Sequence, residues 1–392
     1  MKKYLIIGAV LFLWVVFSVY LCLSQTKEKT ILDNVLTLEL SFGDKNLPSE
    51  YLLAVPYAFV IANNNDIIIF DESRLKIYDT QGKPKQIVGR PGQGPGEFSE
   101  IAVPFYSEDG YLTVENIITP SIQSVSYNLF GPDYKLIERK QTQFTEAYQK
   151  LQNEFRCNRL SYSSIYTFAE GKQIIRCSGT YYSERNTDSS FTAIAFFTGK
   201  ETKIIYSQKR YPNDFDASEA GQLQIDFLSN HRIAYTNPPK GKTFENNVWY
   251  YCIHLYNLDT DKTQEIKYPY TPLAIPDSLL NLKIDKDAPP RYEQFARDYV
   301  EQLRKLKYYA PVQFLIADGG YLFVFTFLKK NSQFAADVFD VNKNNYICSI
   351  YLPFRSSTLD VIKNSYFYRK TKSKEGYYVI EKYRIDPRVY GK

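Results

Sequence analysis

Histidine is almost missing from this chain of 392 residues: there are two, His231 and His254. Most zinc sites, the Ser-His-Asp triad and histidine general-base chemistry therefore fit poorly. No charge of one sign dominates, with 48 Lys and Arg against 43 Asp and Glu and a formal charge of +5. Such a balance gives no electrostatic reason to expect a nucleic-acid partner. Cysteine is sparse, and none of Cys22, Cys157, Cys177, Cys252 and Cys348 forms a C-x-x-C pair, so zinc-ribbon and thioredoxin-type signals are lacking. Helical periodicity is scarce too. What is abundant is aromatic side chain, 16% of the residues with 35 Tyr and 26 Phe, enough for a large packed core.

Residues 4–24 form the one long apolar run, after the basic start Met1-Lys2-Lys3. Twenty-one residues at ~1.5 Å each span roughly 30 Å, the thickness of a bilayer core, whereas a signal-peptide core is usually only ~7–15 residues long. An uncleaved single-pass anchor fits the length and the bulky Trp14 and Tyr20. A cleaved signal peptide fits the Cys22-Leu23-Ser24 end, and lipidation of Cys22 is a third reading, which the bulky Leu21 opposes. The two lysines favour an N-terminus inside, so all three readings put the rest of the chain outside the cytoplasm, in the cell envelope. Residues 25–34 read as a linker. Cys157 and Cys177 fall in segments that could be neighbours, which leaves a disulfide between them open; Cys252 and Cys348 read as buried apolar residues.

Beyond the linker the governing pattern is period two. Val35-Leu36-Thr37-Leu38-Glu39-Leu40-Ser41-Phe42 alternates, and so do Trp249–Tyr256 and Tyr377–Tyr383. Runs rich in Tyr, Ile, Val and Phe between Asn, Asp and Gly turns predict strands. A helix is predicted over Arg291–Leu306, where Phe295, Tyr299, Leu303 and Leu306 share one face, and a shorter one over Thr145–Phe155. The strands recur as a unit whose polar turns follow Tyr78, Phe130, Phe197, Leu258, Phe339 and Ile385, spaced by roughly 45 to 80 residues. Six four-stranded units predict an all-β, six-bladed β-propeller over residues 35–392, with a small helical insertion at about 275–309 between blades 4 and 5. The sixth unit is short of one strand, and Val35–Phe42 is the spare that would close the last blade onto the first.

The first unit carries a recognisable signature. Asn65-Asp66-Ile67-Ile68-Ile69-Phe70-Asp71 leads into Arg74-Leu75-Lys76-Ile77-Tyr78-Asp79-Thr80-Gln81-Gly82, then Gly89-Arg90-Pro91-Gly92-Gln93-Gly94-Pro95-Gly96-Glu97-Phe98. This resembles an NHL-type repeat of the six-bladed propeller family, with its "R-I-x-V-F-D-x-x-G" strand and glycine-rich "G-x-G-x-G-x-F" run. The match covers about 45 residues, with a looser echo at Ala317–Val324 and Asp337–Val341. The whole chain is similar to exported, often membrane-attached bacterial propellers, many without assigned function, so the resemblance implies a fold far more than an activity.

Gly89–Gly96 lacks the Gly-Lys-Ser/Thr ending of a phosphate loop, and no helix pattern follows it, so it reads as a crossover between blades. His254 reads as a packed strand residue and His231 as a solvated turn residue. The long connections Gly89–Phe98, Gln141–Ser164, Ser207–Gly221 and Ile275–Tyr309 fall on one end of a propeller, where loops on a rigid scaffold bind. Arg90, Arg291, Arg297 and Arg304 on those connections are the candidate binding residues. The function expected is a membrane-tethered or exported binding or scaffolding module, without a cofactor, for an envelope protein or small ligand. The alternative is a calcium-dependent propeller hydrolase or lactonase with a channel cation, for which Glu115 and Asn116 supply the hard oxygen ligands. The sialidase-type "S-x-D-x-G-x-T-W" box is absent, and the abundance of Tyr, which could suggest carbohydrate recognition, is better explained by strand packing.

Overall fold

In the computed structural model of this chain, residues 29–392 are described, apart from residues 45, 117–125, 142–145, 158, 169–171, 182–188, 211–220, 238–240, 282–289 and 356–359. The apolar run at 4–24 thus lies outside the described residues, and none of the helices they contain is long and apolar enough to cross a membrane.

Six antiparallel sheets follow one another along the chain. Blade 1 is built from Ala58–Ile61, Ile67–Asp71, Arg74–Tyr78 and Pro84–Val88, and blade 2 from Ala102–Tyr106, Leu112–Asn116, Ser126–Phe130 and Leu136–Gln141. Blade 3 comprises Arg159–Thr167, Gln173–Tyr181, Ser189–Phe197 and Thr202–Arg210. Blade 4 comprises Gln224–Leu228, Arg232–Thr236, Val248–Asn257 and Thr263–Tyr270, with the short strand Lys242–Glu245 folded onto the start of its third strand. Phe314–Asp318, Tyr321–Lys330, Gln333–Asp340 and Asn345–Leu352 form blade 5; Asp360–Lys363, Tyr366–Lys372 and Tyr378–Ile385 belong to blade 6. Leu36–Phe42 pairs antiparallel with Tyr378–Ile385 as the fourth strand of that last sheet, Leu36 opposite Ile385. The first strands of neighbouring blades contact one another around the axis, so they are the innermost.

Local chemistry explains the regularity. Glu72-Ser73, Asn230-His231, Asn246-Asn247, Asn331-Ser332 and Asn364-Ser365 all sit at positive φ, the two-residue turn that matches the twist of paired strands and that Asn tolerates well. Ile67-Ile68-Ile69-Phe70 is apolar without alternation because each blade is covered on both faces, and all four side chains are buried. Separate apolar clusters then join blade 1 to blade 2, 3 to 4, 4 to 5, 5 to 6 and 6 to 1.

Among the described residues, three α-helices interrupt the pattern. Helix α1 (Glu146–Phe155) lies between blades 2 and 3 in the chain, and buries Leu151 against blade 3 with Cys157, Leu160, Ile175, Cys177 and Phe191. Helices α2 (Asp277–Leu280) and α3 (Pro290–Leu306) lie between blades 4 and 5 and pack on each other, with Leu303 fully buried. Cys157 and Cys177 share one core cluster as free thiols; Cys348 lies in the cluster between blades 5 and 6, and Cys252 is likewise a buried free thiol. The stretch expected as a linker is partly built into the ring. Ile31–Leu32 pairs parallel to Ser349–Ile350 on the outer edge of blade 5, and Lys29 reaches the buried Asp337 at 3.0 Å.

Candidate functional site

Antiparallel order inside each blade sorts the loops to two ends of the ring. First-to-second and third-to-fourth turns share one end, the turn end; second-to-third turns and the crossovers to the next blade share the other, the connection end. The turn end is knitted together around the axis. Asn63 donates to the Glu108 carbonyl at 2.7 Å, and the Glu108 carboxylate accepts from the main-chain N–H groups of Asn230 and His231. Ser229 N–H donates to the Gly319 carbonyl. The Asp318 carboxylate takes the N–H groups of Asn364 and Ser365 at 2.6 and 2.8 Å, and the Asn364 amide donates to Asn65 at 2.6 Å. His231 is therefore not simply solvated as the turn pattern suggested: its ring sits between Asp109 and Asp259, 3.1 Å from each. His254 is stacked on Tyr235, and burial pushes its pKa down.

Inside the ring, the innermost strands of blades 2, 3 and 4 bring aromatic rings together. Phe105 lies 4.8 Å from Tyr166 and 4.9 Å from Phe227, with Tyr166 and Phe227 4.5 Å apart and Phe168 beside them. Polar groups accompany this plug. Asp226 accepts from its neighbour Phe227 N–H and from Ala317 N–H of blade 5, at 2.8 and 2.6 Å. It is half-buried yet enclosed by protein, and loss of solvation pushes its carboxyl up to about 6 against the pull of the Ala317 and Phe227 N–H groups and, less, of Lys363. Glu115 crosses from blade 2 to accept from Ile165 N–H of blade 3; burial raises it to about 7. The Tyr166 phenol is raised first by burial; Ser164 and Arg176 oppose that rise, while Asp226 and Glu115 add to it. Carboxyls of raised pKa, a guanidinium and a phenol thus lie together beside the aromatic plug, a grouping of side chains able to exchange protons.

Of the residues singled out by sequence, Glu115 and Asn116 both occupy the end of one strand, and both are buried. Adjacent strand residues point to opposite faces. Glu115 faces blade 3, whereas Asn116 donates to the Glu97 carbonyl under the blade 1 crossover, its Oδ1 buried without a partner among the described residues. The two do not converge, and among the described residues no group of three or more His, Cys, Asp or Glu could hold a metal ion. Arg90 pairs with Glu97 across the glycine crossover, and Arg297 with Glu293 one turn back on α3. Arg304 donates to the Leu280 carbonyl of α2; the Arg291 side chain lies outside the described residues. The structure thus brings Arg297 and Arg304 onto one helix and leaves Arg90 on a separate crossover.

That crossover explains its own glycines. Gly89 has φ +78°, and a Cβ there would stand 2.2 Å from the Phe98 ring; at Gly92, φ +150°, it would stand 2.1 Å from the Glu97 carboxylate. The glycines let the chain fold back so that Phe98 wedges between Phe70 and Phe130, joining blades 1 and 2. Asp226 and Tyr166 were not visible in the sequence, because an Asp or Tyr inside an alternating strand looks the same whether it faces a channel or a neighbouring blade.

No protein-family model matches the chain, and no curated protein does. Solved structures do resemble it. A protein described as exported, from Bacteroides fragilis NCTC 9343, is 13% identical with a TM-score of 0.49, over 91% of this chain and all of its own. A protein of unknown function from Bacteroides caccae is 9% identical with a TM-score of 0.34, over 79% of this chain and 90% of its own. Puromycin hydrolase is 9% identical with a TM-score of 0.37, over 83% of this chain and 43% of its own. Likeness this distant says nothing of activity, so the assignment of this chain rests on its own strand pairing: it is an all-β, six-bladed β-propeller.

Proposed function

We propose that this protein is a binding module of the cell envelope, an NHL-related propeller tethered to a membrane by residues 4–24 and presenting its connection end to an envelope protein or a small ligand. The observation that carries this reading is the inequality of the two ends. Turns at one end are bonded to one another across the axis, while the other end carries the glycine crossover, α1 and the α2–α3 pair. Rigid scaffold with elaborated loops on one side is the arrangement that binding proteins use. We read Leu36–Phe42 as the closing strand of the ring and the helical insertion as decoration of that binding end. On this reading the segment that leads from the membrane also completes blade 6, so tether and fold share one piece of chain.

The test is site-specific photo-crosslinking in cells of the source organism. A photoreactive side chain in place of Arg90 or Arg297, both exposed at the connection end, is expected to give a discrete adduct; the same group in place of Lys135 or Lys343, exposed at the turn end, is expected to give none. Adducts from the turn end alone, or equally from both, would overturn the reading. Alkaline phosphatase fused after Lys392 is expected to be active, and an inactive fusion would remove the envelope location.

A further inference from the structure

We propose that the connection end of blade 6 holds a pocket for a phosphate- or sulfate-type oxyanion. The proposal rests on the reading above for which end binds, and adds the chemistry of the ligand. A cavity of about 430 Å³ is lined by Arg355, Lys370, Thr371, Lys372 and Tyr378, a size suited to a small molecule. Strand geometry gathers the cations. Lys370 and Lys372 are two apart on one strand and so share a face, and Lys372 is paired across to Tyr378, its ammonium 4.8 Å from the ring. Arg355 is delivered from the crossover between blades 5 and 6, where its main-chain N–H donates to Asp360 and its guanidinium donates to the Lys370 carbonyl.

The charges there do not cancel. Asp360, fully buried, is the carboxylate of this corner, and it is shared between Arg355 at 3.3 Å and Arg369 at 3.6 Å. Asp71, the next acid, is committed to Lys76 at 2.8 Å and to the N–H groups of Ala54 and Val55. Glu375 sits at the exposed tip of the adjoining hairpin. Three solvated cations would need no ligand, but Lys370 is not solvated in that way: it is half-buried and aimed at the Pro56 carbonyl. Burial, and then the neighbouring Arg355 charge, hold its pKa below the usual lysine value. An oxyanion seated among these groups relieves the repulsion and offers acceptors to a guanidinium fork and two ammonium groups. Inorganic phosphate, a phosphorylated small molecule and a lipid headgroup all present this chemistry.

The experiment is calorimetric titration of the full chain in neutral detergent at constant ionic strength. Inorganic phosphate and sulfate are expected to bind, with acetate much weaker. Lys372→Gln alters an exposed side chain and is expected to weaken phosphate at least fivefold, Lys370→Gln more, and Lys343→Gln, on the turn end, not at all. Glycerophosphoglycerol separates the sources: binding comparable to phosphate marks a diester headgroup, and binding of phosphate alone marks a free or monoester phosphate. No heat with either at 10 mM, or equal binding by Lys372→Gln and Lys343→Gln, overturns the pocket. Either result leaves the crosslinking outcome at Arg90 and Arg297 untouched, so failure of the pocket is distinguishable from failure of the binding-module reading.

Discussion

Between blades 5 and 6, Phe323, Phe325, Ile350, Ile362, Phe367 and Val389 form one apolar layer. The C-terminal turn Pro387–Tyr390 is tucked into it by the Tyr390 hydroxyl on Asp318 at 2.7 Å. Between blades 2 and 3 the facing side chains are of another kind. Glu115 reaches across to Ile165 N–H, the Gln173 amide donates to the Tyr127 hydroxyl at 2.7 Å, and the Thr113 hydroxyl is buried without a partner among the described residues. Blade 3 turns its own apolar face, Ile175, Cys177 and Ala193, onto helix α1 instead, and Phe105 supplies the apolar contact with blade 2 at the channel. A propeller ring needs every seam closed, yet it can close one with sheet-on-sheet burial and another with a helix and hydrogen bonds.

The two seams should differ most in what a truncation costs. Phe323 is completely buried, so Phe323→Ala is expected to cost roughly 3–5 kcal/mol, from lost transfer energy and the cavity left behind. At the polar seam, Tyr127→Phe removes one hydrogen bond and leaves Gln173 with less, an effect of about 1–2 kcal/mol. Urea unfolding of both variants measures the contrast. Equal costs would mean that the 2–3 seam is as tightly coupled as the 5–6 seam, and the comparison would fail.

Next in size is a pH effect confined to the polar seam. Burial raises Glu115 to about 7, above its unfolded value near 4.5, so the folded state holds the proton more tightly. Stability is then greatest below about pH 4.5 as far as this group is concerned, and is lost as pH rises toward 7. Glu115→Gln keeps an acceptor for Ile165 N–H without a charge. It is expected to leave stability unchanged at pH 4.5 and to raise it by about 3 kcal/mol at pH 8. Thermal melting at the two pH values decides; a variant less stable at pH 8 would mean that the ionised carboxylate is held by partners of its own.

Period two, six polar turns and the glycine crossover made the blades legible in the sequence, because those features are set locally by strand pleat and turn backbone. Helix α3 was legible for the same reason: Leu303 is buried just where the apolar face of Arg291–Leu306 put it. Which faces meet was not legible. Glu115 looked like a cation ligand at a strand end, and only the packing of blade 3 against it turns it into a bridge between sheets. Asp318 and Asp337 read as turn and strand residues, yet each binds across blades, Asp337 taking Tyr251 of blade 4 and Lys29 of the segment before the ring. The cations Arg355, Lys370 and Lys372 are separated by a crossover and a hairpin, so their meeting depends on the third dimension.

The smallest effect concerns how the ring bypasses its polar seam. At the turn end blade 2 is bonded directly to blade 4: Glu108 takes the N–H groups of Asn230 and His231, and the His231 ring bridges Asp109 of blade 2 to Asp259 of blade 4. The Asp109 hydrogen bond, the largest influence, raises the histidine pKa above its ordinary value; burial opposes it, and Asp259 adds a smaller rise. Arg232, next in the chain, is directed instead to Ser229 and Asn342. The ring's contribution is therefore fully present below about pH 6.5 and is lost as pH climbs through the raised pKa of the folded state. His231 is 39% exposed, so water screens the pair and the effect on global stability should stay below about 1 kcal/mol. Hydrogen exchange is the sharper measurement. In the natural chain, protection of the turn Ser107–Tyr111 is expected to fall between pH 6 and pH 9 after correction for the intrinsic rate. His231→Gln should flatten that dependence while sparing Phe323 and its neighbours. A variant that keeps the full pH dependence would place the sensitivity outside His231, because the Glu108 bonds run to main-chain N–H groups that do not titrate in this range.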